Sequence, residues 1–437
     1  MKPVRLRRNF AWSFVGTTVY SVVQWLLLVA LAKLGSSHIV GEFALILAIS
    51  APVYLTVGLN LRVVRATDVR RIWTPKQYYT LRQLLNLVSL VVAMCLGLAL
   101  GLRGVSILAF LFVCLGKSVE TTSLMLYGFF QLRERLDLVA RSLLLRAFLG
   151  AGGFVTMLAL TGELTPACAG MAAGWFVTWL IHDRLQERAL QASEAEAMSN
   201  DGMMAVDSGG SATVGSLARK AVPLGVDAGV GSVATNLPRY AVYLSLGSSQ
   251  LGVFATLAYA AQVVSMITGA MGDTVVGRLA KQAELGNVKS FSRLLLKLVA
   301  FGLAVTAVTS LAAWLLGAWA IRLVLGEEYV NQPVLILLML GAGAITMQRS
   351  LARGLQAAHK YSSVLLVDTV IMIATLGIAI VLVPTFGMPG AAATLGLGFL
   401  AGVTLSMVLI LRLLTQMQRH SEEVAAHEDR HPGLTAF

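Results

Sequence analysis

The amino-acid sequence predicts an all-α, polytopic membrane protein with about twelve transmembrane helices arranged as two six-helix lobes. Three observations carry this expectation. The 437 residues are 57% hydrophobic and 13% charged, with a mean hydropathy of +0.76, whereas a soluble globular chain carries about 25% charged residues. Apolar runs of about 20 residues, enough to cross a hydrocarbon core of roughly 30 Å as a helix, recur from end to end. One junction also occurs twice, as LGSSHIVGEFALILA from Leu34 and as LGSSQLGVFATLAYA from Leu246.

The elements follow in order. The run AWSFVGTTVYSVVQWLLLVALA follows the basic stretch MKPVRLRRNF. It is longer than the apolar region of a secretory signal, and many further spans follow, so it reads as a retained first helix over residues 10–33. The first LGSS junction turns the chain into a second helix over 39–60. Residues 61–73, LRVVRATDVRRIW, alternate basic and apolar positions at helical spacing. An interfacial helix on anionic headgroups and a plain basic loop both fit that pattern. Four helices are expected over 83–102, 104–130, 138–161 and 164–182. Residues 191–217 are rich in Ser, Gly and acids and read as a flexible linker. Six helices are expected beyond it, over 219–246, 250–276, 294–317, 332–352, 361–384 and 387–414.

The expected organisation is therefore an N-terminal lobe (1–190), a linker (191–217), a C-terminal lobe (218–415) and a tail (416–437). Because six is even, both halves enter the membrane in the same direction. The two LGSS junctions then lie between the first and second helix of each half. TGELTPACAG and PTFGMPGAAA likewise both put Gly and Pro at a tight turn before a small-residue helix. A duplicated six-helix unit leaves such a pattern, and parallel repeats are one plan of secondary transporters.

Charge fixes the expected orientation. Of the 34 Lys and Arg, 29 fall at the termini or in alternate connections, which the positive-inside rule makes cytoplasmic, with both termini on that side. The net charge of +12 is thus a topology signal and gives no reason to expect nucleic acid as a partner. The outer loops are short, the longest running from Arg322 to Gln332, and none has room for a catalytic domain. Cys95, Cys114 and Cys168 lie in apolar runs without CxxC or Cys/His spacing, so they read as small buried hydrophobes, and no metal or cofactor is expected. No Walker A, HExxH or GxSxG motif is present. The expectation is a transporter that is not an enzyme.

The remaining basic residues are Lys33, Arg103 and Arg322, placed to snorkel from outer helix ends, and Lys117 and Arg239, which lie well inside spans. A charge near a helix centre costs roughly 2.5–3.5 kcal/mol and usually faces a polar cavity or a partner. Arg239 follows Asn236 and Pro238; the proline removes an intrahelical bond and points to a kinked, cavity-lining helix. Arginine stays charged, so Arg239 needs an anion, water, or an acid such as Asp368 or Glu120. Lys117 has Glu120 one turn later, which also fits a self-neutralised pair. Gln24, midway along the first helix, lines a cavity or bridges two helices. Asp273, Asp368 and Glu120 are the candidates for coupling to an ion.

Several segments together resemble a known family: NFAWSFVG near the start, GEFAL after the first junction, PLGVDAGVGSVATNLPRYAVYLSLGSSQLGVFA after the linker, LGEEYV and PTFGMPGAA. This order is similar to that of the polysaccharide-specific transporters, the Wzx-type flippases of the multidrug/oligosaccharidyl-lipid/polysaccharide (MOP) exporter superfamily, over approximately residues 5–414. The resemblance implies a MATE-like fold with two lobes around a cavity opened alternately to each side. It implies a polyprenyl-pyrophosphate-linked oligosaccharide, such as an O-antigen of lipopolysaccharide, a capsule or an exopolysaccharide unit, moved to the periplasmic leaflet of the inner membrane. The bilayer and other polysaccharide assembly proteins would be its partners. Arg239, Lys117, Asn236 and Gln24 are then the candidates for the anionic headgroup, since a guanidinium binds two phosphate oxygens at once. A drug antiporter of the same fold would favour cavities rich in acids and aromatics. A membrane polymerase or ligase would be expected to use a large external loop.

The topology is directly testable. Reporter fusions at Ser208 and at the C-terminus should behave as cytoplasmic and one at Ser248 as periplasmic; a periplasmic signal at Ser208 would break the six-plus-six scheme.

Overall fold

The computed structural model describes residues 6–68, 71–200 and 213–430. The helices are α1 (Leu6–Leu34), α2 (Ser37–Thr56), the short α3 (Leu61–Thr67), α4 (Pro75–Ala99), α5 (Val105–Leu132), α6 (Leu136–Thr161) and α7 (Leu164–Thr178). A π-helical turn, Trp179–Asp183, joins α7 to α8 (Arg184–Asn200). Then come α9 (Val214–Leu246), α10 (Ser248–Glu284), α11 (Val288–Val324), a 3-10 turn at Glu327–Tyr329, α12 (Gln332–Ala357) and α13 (Tyr361–Arg430). Every expected span has its helix. The last two form the two arms of α13, broken at Gly387, whose φ of 64° and ψ of −136° are not helical. Among the described residues, 9 helices are long and apolar enough to cross a membrane. The protein is an all-α, multi-pass membrane protein.

Local chemistry sets the ends. Ser36 caps α2 by accepting the Ile39 N–H at 3.4 Å. Thr74 and Gln77 form a reciprocal capping box at the start of α4, with Pro75 in the first turn, where its missing N–H costs nothing. Gly162 ends α6 in the left-handed conformation at φ 69°.

One open choice is decided and two expectations change. Residues 61–67 are helical, with Leu61, Val64 and Arg65 buried, so this stretch is not a plain loop. Residues 191–200 extend α8 and residues 214–217 open α9, which narrows the expected linker. The run ASEAEAM combines Ala, Glu and Met, all strong helix formers, and outweighs the lack of an apolar stripe; residues 201–212 lie outside the described residues. Of the cysteines, Cys114 and Cys168 are buried, whereas Cys95 is exposed on α4.

The chain divides into two compact units, Met1–Val233 with Ser248–Val253, and Ala234–Gly247 with Phe254–Phe437. The division falls inside α9. In the first unit, Trp73, Tyr78, Met125, Phe130, Leu138 and Leu217 are among the residues of one apolar cluster. In the second, Phe291, Leu295, Leu351, Val403 and Ile410 belong to another.

Close approach through small residues joins the helices, as expected where lipid and side chains are equally apolar and only packing holds helices together. On α6 and α7, Gly153 and Gly170 lie against each other's backbone, so a Cβ on either would strike the other's carbonyl. The repeated junction does the same within the first unit. A Cβ at Gly41 would collide with the Ser248 carbonyl, and one at Gly252 with the Ser37 carbonyl. Ser37 and Gly41, like Ser248 and Gly252, are four residues apart. The one-residue difference in spacer between the copies is absorbed by using the second serine of LGSS in one and the first in the other.

This crossing predicts a sharp asymmetry among glycines. Gly41→Val or Gly252→Val should lower the thermal midpoint of the purified protein and broaden its size-exclusion peak. Gly152→Ala, where an added Cβ meets nothing within 4 Å, should be neutral or gain up to about 1 kcal/mol of helix propensity. A wild-type midpoint for Gly41→Val would mean that the two junctions are not in backbone contact.

Candidate functional site

Two sets of polar side chains lie inside the helical assembly, one in each unit. In the first unit, α1 supplies Tyr20, α5 supplies Lys117, Glu120 and Tyr127, α6 supplies Ser142 and Arg146, and the π-helical turn supplies His182 and Asp183. Glu120 is the hub. It accepts from Lys117 Nζ at 2.7 Å and from the Tyr20 hydroxyl at 3.3 Å, and its Oε1 lies 3.9 Å from Arg146 Nη1. Arg146 Nη2 lies 3.7 Å from Asp183 Oδ2, and His182 Nδ1 is 3.0 Å from Asp183 Oδ1. Aromatic rings complete the shell, with the Arg146 guanidinium 5.6 Å from the Tyr127 ring and Lys117 Nζ 5.7 Å from that of Trp175.

The side chains of Arg146 and Asp183 are 1% and 0% exposed. Two cations facing two anions make the cluster formally neutral, which is how such groups tolerate a low-dielectric interior. The π-helical turn matters because consecutive α-helical residues point about 100° apart, yet His182 and Asp183 are both buried. Insertions of this kind re-aim side chains and recur at functional positions. Asp183 Oδ2, His182 Nε2 and Arg146 Nε and Nη2 are buried without a hydrogen-bond partner among the described residues. The cluster therefore has hydrogen-bonding capacity left, both as donor and as acceptor.

Sequence reasoning found Lys117 and Glu120 here and missed Arg146, His182 and Asp183. Arg146 was counted with a basic loop, but α6 begins at Leu136, so Arg146 lies almost three turns inside it. Its flanks, SLLL before and AFLGAGGF after, are the signal that placed it within a span. Arg65 and Arg82, also assigned to a connection, are buried too: Arg65 pairs with Glu187 at 2.6 Å, and Arg82 donates to the Gly58 carbonyl at 2.9 Å.

In the second unit the central group is Arg239 on α9. Its Nη1 donates to the Asn236 side-chain oxygen at 2.7 Å, and its guanidinium lies 5.8 Å from the centre of the Tyr259 ring on α10. Asn236 is 5% exposed and Arg239 half-buried. No carboxylate of the described residues pairs with Arg239. The two expected acid partners are placed elsewhere. Glu120 is held by Lys117, Tyr20 and Arg146, and Asp368 acts electrostatically on Arg349, which also feels Arg353. Among the described residues the guanidinium thus has an amide and a ring beside it and no compensating charge. Gln24 is half-buried on α1 and makes no hydrogen bond among the described residues. Asp273 lies on α10, and its side chain falls outside the described residues.

With this geometry, the fold has recognisable relatives. It is that of the MOP-superfamily transporters. An inward-facing multidrug MATE transporter of that superfamily aligns with a TM-score of 0.69 at 12% identity, covering 94% of this chain and 99% of its own. The lipid II flippase MurJ in an inward closed conformation aligns with a TM-score of 0.68 at 13% identity, covering 93% and 89%. In sequence, the chain is 23% identical over 389 residues to the capsular polysaccharide biosynthesis protein CapF of Staphylococcus aureus, covering 89% of this chain and 95% of CapF. No family model matches. Together these likenesses support the resemblance to the Wzx-type polysaccharide flippases.

The buried cluster makes its own prediction. Removing one member of a buried ion pair leaves the other uncompensated, at a cost of about 3–5 kcal/mol. Arg146→Ala should therefore lower the thermal midpoint strongly, and Arg146→Ala combined with Asp183→Ala should recover part of the loss, a coupling that a double-mutant cycle measures. Strict additivity of the two changes would show that the residues do not interact.

Proposed function

We propose that this protein is a flippase that carries a polyprenyl-pyrophosphate-linked oligosaccharide from the cytoplasmic to the periplasmic leaflet of the inner membrane by alternating access. The observation that carries the reading is Arg239, a permanent cation within a helix with no acid beside it among the described residues. Asn236 orients the guanidinium from one turn away, and the Tyr259 ring supports it by a cation–π contact. An anionic headgroup supplies the missing charge, and the planar fork suits two phosphate oxygens. The names of the relatives support this substrate class: CapF is named for capsular polysaccharide biosynthesis and MurJ as a lipid II flippase. Lys117 and Gln24 are secondary headgroup candidates, Lys117 being already engaged by Glu120.

A site for cationic drugs would place a carboxylate where Arg239 stands, which weighs against a drug antiporter. The charge-balanced cluster around Glu120 is the candidate for ion coupling, because it joins Lys117, Arg146 and Asp183 from three elements, so a change at one carboxylate is felt by both cations. Asp273 and Asp368 are coupling candidates in the second unit. On this reading the partners are the bilayer, the lipid-linked oligosaccharide and the proteins that build and polymerise it, and the glycan is an O-antigen, capsule or exopolysaccharide unit.

Transport of defined lipid-linked oligosaccharides in proteoliposomes, with and without an imposed ion gradient, tests the reading. Arg239→Lys, which keeps the charge and loses the fork, should reduce transport partly, and Arg239→Ala should abolish it at normal protein levels. Recovery of transport in Arg239→Ala with Asp368→Ala would show that Arg239 only balances an acid, and would overturn the anion-site assignment.

A further inference from the structure

The second unit holds another arginine inside a span. Among the 9 described helices long and apolar enough to cross a membrane, α12 is the most enclosed. Over residues 341–355 of that helix, Arg349 alone is exposed, and its neighbours Gln348, Ser350 and Leu351 are buried. By sequence Arg349 groups with a basic connection, but α12 continues to Ala357, which puts the residue two turns inside the helix. An arginine so placed faces either lipid or a recess in the protein. Lipid is the costly alternative, because a guanidinium stays charged and charges within spans turn to a partner or a water-filled cavity. Arg349 makes no hydrogen bond or ion pair among the described residues. Arg353, one turn on, is different, since its Nη2 donates to the Gly269 carbonyl of α10 at 3.1 Å. Asp368 attracts Arg349 and Arg353 repels it, both without a bond to it.

Packing sets its depth relative to Arg239. Ala234 of α9, Ala344 and Ile345 of α12, and Val367 and Ile371 of α13 belong to one apolar cluster. Three tight turns separate α9 from α12, so the two helices run in opposite directions. Arg239 lies five residues beyond that layer along α9, and Arg349 four beyond it along α12. At 1.5 Å per residue, their Cα atoms are roughly 14 Å apart in depth. Arg349 is on the side that the charge pattern makes cytoplasmic. Arg239 is not among the charges that act on Arg349, so the two guanidinium groups are separate contacts.

We propose that Arg349 is the residue that captures the substrate: it meets the pyrophosphate of the lipid-linked oligosaccharide on the cytoplasmic side, before the headgroup reaches Arg239. The proposal rests on the flippase reading and adds to it an earlier anion contact. A guanidinium suits phosphate in charge and geometry at both positions. The nearby acid suits the earlier one. A contact on a transport path has to bind well enough to admit its ligand and loosely enough to release it. Asp368 competes for Arg349 without forming an ion pair with it, whereas Arg239 has an amide and a ring beside it among the described residues. Attraction for an anion therefore increases from Arg349 to Arg239.

The test is transport of a defined lipid-linked oligosaccharide by the full-length protein in proteoliposomes, with initial rates followed against the substrate content of the membrane. Arg349→Gln should raise the half-saturating substrate content roughly tenfold, the worth of one charge-assisted hydrogen bond, and retain the maximal rate. Arg349→Lys, which keeps the charge, should raise it less. Arg412→Gln, which removes an exposed charge near the end of α13, should change neither quantity. Because Arg349 is exposed and unbonded, its variants should keep the wild-type thermal midpoint, so a change in transport reports on the substrate and not on folding. A lowered maximal rate at unchanged half-saturation, or no change in either, would overturn the capture role. The flippase reading fails separately: absence of transport by the wild type, or full transport by Arg239→Ala, would overturn it and this proposal with it. Loss of transport in Arg239→Ala with wild-type kinetics in Arg349→Gln would overturn this proposal alone.

Discussion

Hydrocarbon offers no hydrogen-bond partner, and the structure is organised by that constraint. Backbone N–H and C=O groups must be satisfied within the segment that crosses, so every span is a helix. Turns that break this rule fall between spans, as at Gly162 and Gly247, or at the bend around Gly387. The same constraint removes the hydrophobic drive for helices to associate. Contact then depends on how closely backbones approach, and at the Gly41/Gly252 and Gly153/Gly170 crossings backbone meets backbone directly. Charge within a span is the third consequence, because it must find a partner inside the protein.

The two charged sites answer that requirement differently. Around Glu120 the answer is closure: Lys117, Arg146 and Asp183 compensate one another, and Tyr20, Tyr127 and His182 supply further polar contacts. Such a set is costly to break at one member, which is why its residues come from α1, α5, α6 and the π-helical turn and fix those elements together. Around Arg239 the answer is incomplete. Among the described residues an amide and an aromatic ring stabilise the guanidinium without cancelling its charge, which is why we propose it as the anion site. A neutral, closed cluster suits structure or proton exchange, and an uncompensated cation suits binding.

Much of this was legible in the sequence, for physical reasons. Hydropathy and length locate a span because the bilayer sets both, and the helices fall where the apolar runs are. Pro384, Gly387 and Pro389 marked the bend in α13 because their backbone chemistry is local. Arg239 stood out because a permanent charge in an apolar run is rare whatever surrounds it. Partner choice was not legible. Arg146 and Asp183 meet only when α6 and the π-helical turn are packed, and nothing in either segment names the other. Lys117 and Glu120 were readable because three residues along one helix bring them together without any tertiary information.

The repeated junction shows where the two kinds of information divide. As sequence, LGSS followed by Gly-x-Phe-Ala signals duplication, and its Gly-Ser content signals a turn. Neither reading requires the two copies to touch. Yet Gly41 and Gly252 each occupy the only kind of position the other's neighbouring carbonyl allows, one without a Cβ. The register of that contact is kept although the spacers differ in length, because the serine four residues before the glycine is a different member of the pair in each copy. What is preserved between the copies is therefore a spacing along a helix face, Ser to Gly across one turn, and not the alignment of the letters. A contact between two copies of one motif constrains both at once, since enlarging either glycine displaces the same pair of backbones.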